Sequence, residues 1–157
     1  MVAITDTARL FYAAPGAASM SLAGAADVPP HPPTFYDQNL YVTDINGTSL
    51  PTVFNGTTVA SITASAPTGA LSAVYKDHLV LARSAANTNR VWFSNGGDAN
   101  TWNTGANGQW LDATSPIQGM AALRNTVVLF QEGFTERITG SVIPGNTASD
   151  MAVQPLF

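Results

Sequence analysis

Ten carboxylates, six lysines and arginines, two histidines and no cysteine are the side chains with which this chain could do acid–base, metal or nucleophilic chemistry. Their spacing assigns them little of it. His31 and His78 form no His-x-x-x-His or Glu-x-x-His pattern, so they do not read as a metal pair. Without cysteine there is no thiolate site and no disulfide framework, and neither a reducing nor an oxidising compartment is excluded. Serine, histidine and aspartate are all present, but no Gly-x-Ser-x-Gly elbow presents a nucleophile. Gly96-Gly97 lacks the third glycine and the following helix of a phosphate-binding loop. Asp77, Asp98, Asp112, Glu132 and Glu136 fall on separate turns, so no two of them stand out as the acid and base of a glycosidase. Arg9, Arg83, Arg90, Arg124 and Arg137 are equally dispersed and form no cluster for a carboxylate substrate. The chain therefore reads as non-catalytic, with no metal and no cofactor.

The remaining candidate contacts are aromatic and turn residues: Trp102, Trp110 and Asp98. Trp92 lies in an apolar run and reads as core. Trp102 and Trp110 sit among asparagine and glycine, where three roles stay open: core filling, an interface anchor, or a platform for a sugar face. Tyr36 and Tyr75 join them in the sugar-binding alternative, a carbohydrate- or receptor-binding β module. The stretch Ser94-Asn95-Gly96-Gly97-Asp98-Ala99-Asn100-Thr101-Trp102 resembles the Asp-box turn of sialidase-like propellers, with its acidic residue two places late and its glycine two places early. Such boxes are structural turns, so Asp98 is expected to bond its own backbone in a turn anchored by Trp102.

The elements that would position these residues come from a segment that occurs three times. It reads Phe35-Tyr36-Asp37-Gln38-Asn39-Leu40-Tyr41-Val42-Thr43, then Val74-Tyr75-Lys76-Asp77-His78-Leu79-Val80-Leu81-Ala82, then Ala122-Leu123-Arg124-Asn125-Thr126-Val127-Val128-Leu129-Phe130. Each copy is an apolar run, a polar turn and a second apolar run, and the copies start 39 and 48 residues apart. Spacings of roughly 40–50 residues in a β-rich chain are those of propeller blades. His78 aligns with Asn39 and Thr126, and a turn position that takes all three is structural. Helical periodicity is missing, and short alternating runs between turn residues give the strand signal. Four Asn-Gly pairs suit tight hairpins; Asn55-Gly56, between Thr52-Val53-Phe54 and Thr57-Thr58-Val59, is the best two-residue turn.

Four strands are expected per copy: 34–36, 40–43, 52–54 and 58–63; then 73–75, 79–82, 90–93 and 109–112; then 120–123, 127–131, 135–139 and 151–154. The fold class is thus all-β, with antiparallel four-stranded blade-like repeats of a partial or shortened β-propeller. The organisation is a degenerate strand repeat over 1–28, a proline-rich connector over 29–33, and blades over about 34–70, 71–118 and 119–157. The apolar runs 79–82 and 127–130 read as blade cores, and the loops 85–89 and 103–108 as assembly contacts.

Charged residues make up 10% of the 157, against a usual ~25%. So little charge protects a monomer poorly against association, so much of the surface is expected to meet another subunit. The net charge of −4 and six basic residues supply no stripe for phosphates, which disfavours sequence-specific nucleic-acid binding. A wall that DNA slides past remains compatible with that balance. No secretory leader is visible at the start, and no run approaches the ~18 apolar residues of a membrane span.

The string Asn89-Arg90-Val91-Trp92-Phe93-Ser94-Asn95-Gly96-Gly97-Asp98, followed by Trp102, resembles a stretch of the β-propeller-like tail proteins of double-stranded DNA bacteriophages. Leu40-Tyr41-Val42-Thr43-Asp44, Val53-Phe54-Asn55-Gly56-Thr57-Thr58-Val59 and the second repeat resemble other stretches of that family, in the same order, over about residues 8–140. The resemblance implies a virion structural part without catalysis, made in the bacterial host cytoplasm. It would form a homo-oligomeric ring in the tail hub, nozzle or head-to-tail adaptor, against other virion proteins, with DNA passing through. Family members run on for more blades. Propellers close with typically four to eight, so either this chain is a segment or neighbouring subunits complete its open edges.

Overall fold

The structure is a computed structural model. It describes residues 32–63, 65–145 and 149–156 in full, and 2–4, 9–12 and 21–25 by their backbone. Pro29, Pro30 and His31 of the expected connector lie outside the described residues. All regular structure among the described residues is β, in four antiparallel sheets, and no sheet closes on itself. No helix among them is long and apolar enough to cross a membrane.

Strands β1 (Val2–Ile4), β2 (Arg9–Tyr12) and β3 (Ser21–Ala25) pair in chain order. The first full sheet holds β4 (Thr34–Tyr36), β5 (Asn39–Val42), β6 (Thr52–Phe54) and β7 (Val59–Ser61), again in chain order. The middle sheet holds β8 (Leu71–Tyr75), β9 (His78–Ala82) and β10 (Arg90–Asn95). The far edge of β10 is shared: its beginning pairs with β12 (Trp110–Asp112) and its end with β11 (Asp98–Trp102), past a bulge at Ser94 and Asn95. The last sheet holds β13 (Ile117–Leu123), β14 (Thr126–Gln131), β15 (Thr135–Thr139) and β16 (Ala152–Pro155).

Each repeated segment is the first hairpin of its sheet. Tyr36 pairs with Asn39, Tyr75 with His78 and Leu123 with Thr126, each across a two-residue turn. The turns Asp37-Gln38 and Lys76-Asp77 have positive φ at both residues, 44° and 61°, then 46° and 63°. That is the handedness a tight hairpin needs to match the strand twist. The expected two-residue turn at Asn55-Gly56 is instead a four-residue loop, because Phe54 pairs with Val59. The Asn55 side chain holds that loop by accepting from the amides of Thr57 and Thr58 at 3.0 and 2.8 Å. His78 opens strand β9 rather than lying in the turn, with Nδ1 2.7 Å from the Ser94 carbonyl. The stretch 98–102, expected as turn alone, is a strand, so the middle sheet has five strands and not four.

Two apolar clusters lie on opposite sides of the middle sheet. One gathers Tyr36, Tyr41, Leu79, Leu81, Trp92 and Trp102, and joins the first sheet to the middle one. The other gathers Tyr75, Val80, Phe93, Val127, Leu129 and Ile138, and joins the middle sheet to the last. Alternate residues of β9 therefore enter different clusters, and all five are buried. This explains why 79–82 reads as an unbroken apolar run: a strand covered on both faces has no polar side to show. The leading strands also run side by side, β4 beside β8 and β8 beside β13.

Candidate functional site

The three residues singled out from the sequence do not converge. Trp102 is buried in the first cluster, with its Nε1 donating to the Ala99 carbonyl at 2.6 Å. Of the three roles left open for it, its burial is that of core filling, in the cluster reached where β11 pairs with β10. Trp110 is half-buried and donates to the Gly105 carbonyl at 3.0 Å. The Arg90 guanidinium lies over its ring, 3.6 Å from the centroid, while its fork holds Asp112 at 2.7 and 2.9 Å. One face of Trp110 is thus occupied by a cation. Asp98 accepts from the Thr101 hydroxyl at 2.6 Å and the Asn100 amide at 2.8 Å, and these bonds hold its carboxyl below the usual value. It bonds its own loop, as expected for a turn residue. Tyr36 and Tyr75, suggested as sugar platforms, are buried at 6% and 2% exposure, so they cannot stack on a ligand.

Other carboxylates are spent in the same structural way. Asp44 is buried and accepts from the amides of Asn46, Thr48 and Ser49. Burial pushes its carboxyl up, but the amide donors outweigh that and hold it below the ordinary value. Glu136 is buried and takes the Thr114 amide at 3.0 Å, the Thr114 hydroxyl and the Gln131 amide at 2.7 Å. Here too burial raises and the donors, Thr114 first, lower more strongly. Gln131 in turn accepts from Ser115, so the group ties the 113–116 connection to strands β14 and β15. No group of three metal-ligating side chains occurs among the described residues. A cleft of about 310 Å³ between the 65–68 connection and the middle sheet is lined by Ser65, Thr68, Ser84, Asn87, Arg90 and Trp92, among others, and brings no carboxylate to its wall.

What the fold does bring together is one junction, built twice. The Tyr36 hydroxyl donates to the Asp77 carbonyl at 2.8 Å, and the Tyr75 hydroxyl donates to the Asn125 carbonyl at 2.9 Å. Tyr36 and Tyr75 hold the same place, the last residue before the turn, and Asp77 and Asn125 are each the second turn residue of the following repeat. Each sheet thereby latches onto the hairpin tip of the next. Tyr75 reaches a second carbonyl, Gly140, at 2.9 Å, and Lys76 Nζ joins it there at 2.9 Å. Sequence reading missed the latch, although its signal was present: tyrosine before the turn in the first two copies and leucine in the third.

That leucine lies on an open face. Val127 and Leu129 point back into the second cluster, so Val128 and Phe130 point the other way, with their neighbours Ala121, Gly119 and Arg137. On this forward face Leu123 is 58% and Phe130 47% exposed, while Val128 is buried at 5%. The Phe130 ring lies across Gly119, where a Cβ would stand 3.4 Å from it. At the other end, Phe35 on the rear face of the first sheet is 68% exposed. Compared with known proteins, the chain matches no family model and no curated protein.

Proposed function

We propose that this chain is a virion structural protein of a double-stranded DNA bacteriophage, in the tail or the head-to-tail region, acting by ring assembly without catalysis. Its sheets are then blades of a partial β-propeller, and its partners are other copies and neighbouring virion proteins. The observation that carries this reading is the twice-built junction. A unit that passes from sheet to sheet by one repeated latch has the means to go on across a subunit boundary. The composition supports it, since 10% charge leaves little to keep copies apart. The leading strands β4, β8 and β13 contain no charged residue, so a channel lined by them would hold DNA without gripping its phosphates. The resemblance to phage tail proteins supplies the location. A carbohydrate-binding module is less well supported, because Trp102, Tyr36 and Tyr75 are buried and Arg90 covers one face of Trp110.

The test is the mass of the native species by mass photometry, with negative-stain images of the same sample. Rings of fixed copy number are expected. A monomer at every concentration, giving no particles in the images, would remove the assembly reading.

A further inference from the structure

Two buried donors on the wall of the cleft beside the 65–68 connection have no acceptor. Trp92 is 5% and Ser84 2% exposed, and both line that cleft. The indoles of Trp102 and Trp110 each give their Nε1–H to a carbonyl, at 2.6 and 3.0 Å. Trp92 Nε1 has no such partner among the described residues. The Ser84 hydroxyl accepts from the Asn87 amide at 3.0 Å and donates to no group among them. Arg90, on the same wall, commits Nε and Nη2 to Asp112 and leaves Nη1 over. Buried polar groups are as a rule hydrogen-bonded, so donors left over on a cleft wall mark the place of an acceptor that the chain itself does not supply.

We propose that this cleft binds a small hydroxycarboxylate, whose carboxyl group takes the Trp92 and Ser84 hydrogens while its hydroxyls meet the rest of the wall. Three observations select that chemistry. The groups left over at depth are donors, and an ionised carboxylate is acceptor-only. Arg90 is the one ionised side chain on the wall, because Asp112 does not line the cleft, so the charge it presents is positive and a bond to a carboxylate is charge-assisted. The remaining polar wall, with Thr68, Asn87 and Thr104, is neutral, and those three side chains bond no other group among the described residues. They suit hydroxyls, which both give and accept. The volume of about 310 Å³ falls at the small end of ligand sites. A sugar ring stacked on an aromatic face is not what the cleft offers, because Trp92 is buried. The site is internal to one chain and stands independently of the assembly reading.

The experiment titrates the isotope-labelled whole chain with gluconate and follows its amide and indole N–H signals by NMR. Sorbitol serves as the uncharged counterpart, and sodium chloride controls for ionic strength. Gluconate is expected to move the Trp92 indole signal and the amides of residues 84–87, saturating with a Kd on the order of 1 mM. Sorbitol and salt should leave those signals in place. Ser84→Ala removes one donor and should weaken gluconate about tenfold. Thr68→Glu sets a carboxylate on the wall and should abolish binding; the Thr68 side chain holds nothing else among the described residues, so wild-type circular dichroism is expected. The wild-type titration decides the matter whether or not either variant folds. Equal shifts with sorbitol would make this a polyol site and overturn the carboxylate. No shift with gluconate, or shifts confined to other parts of the chain, would mean that water alone satisfies the Trp92 and Ser84 hydrogens, and the proposal falls while the assembly reading is untouched.

Discussion

At the scale of single residues, polar chemistry here is turned inward to hold backbone, and acid should expose that. Glu136 and Asp44 are buried carboxylates that form no ion pair among the described residues and are kept ionised by amide and hydroxyl donors. Both have folded values below the ordinary ones of 4.5 and 3.8. Between the folded and unfolded values the unfolded chain binds more protons, so stability rises with pH there. The contribution is fully present above about pH 5 and is lost as pH falls through the depressed values. Glu136→Gln keeps the shape and removes the titration. It should cost about 1–2 kcal/mol at neutral pH and flatten the acid limb of a urea-midpoint series between about pH 5 and 3. A variant with the wild-type acid slope would mean Glu136 does not titrate across unfolding. None of this was legible in the sequence. Glu136 and Gln131 look like ordinary exposed strand residues until the 113–116 connection is seen folded over them.

At the scale of the element, the strands and their hairpins were legible and the turn chemistry was not. Alternating apolar runs placed the three repeated hairpins correctly, because period-two burial writes itself into the sequence. The Asn-Gly rule pointed to 55–56, yet the two-residue turns with positive φ at both positions fall on Asp37-Gln38 and Lys76-Asp77. Those turns are held by pairing on both sides and, at 76–77, by the latch from Tyr36 and the Lys76 ammonium, so tertiary contacts override local preference. Gln38 is exposed at φ 61° and makes none of these bonds, which isolates the backbone term. Left-handed backbone costs an ordinary residue about 1 kcal/mol, partly offset on replacement by glycine's greater freedom when unfolded. Gln38→Gly should therefore stabilise by about 0.5 kcal/mol and Gln38→Val destabilise by about 1 kcal/mol in urea denaturation. Equal stability of the two variants would show that the turn is not left-handed in solution.

At the scale of the whole molecule, the order of the sheets follows from the repeat, but how they are joined does not. Nothing in the apolar run 79–82 tells which residue faces which neighbour, or that one strand serves two cores. In the folded chain Leu79 and Leu81 enter one cluster while Val80 and Ala82 enter the other, all at 0% exposure. A stack whose members touch only neighbours can unfold piecemeal, each junction at its own midpoint. Here the middle sheet cannot lose one junction without baring an apolar face of β9, which argues for a single transition. The tryptophans make this testable, because Trp92 and Trp102 lie in the first cluster and Trp110 packs against it. Leu129 lies fully buried in the second, on the far side of the middle sheet. Leu129→Ala should cost about 2–5 kcal/mol. Because the transition is shared, tryptophan fluorescence should shift to lower denaturant by the same amount as the circular-dichroism signal of the whole fold. A fluorescence curve that stays at its wild-type midpoint while the dichroism curve moves would mean that the two junctions unfold independently, and that the shared strand does not couple them.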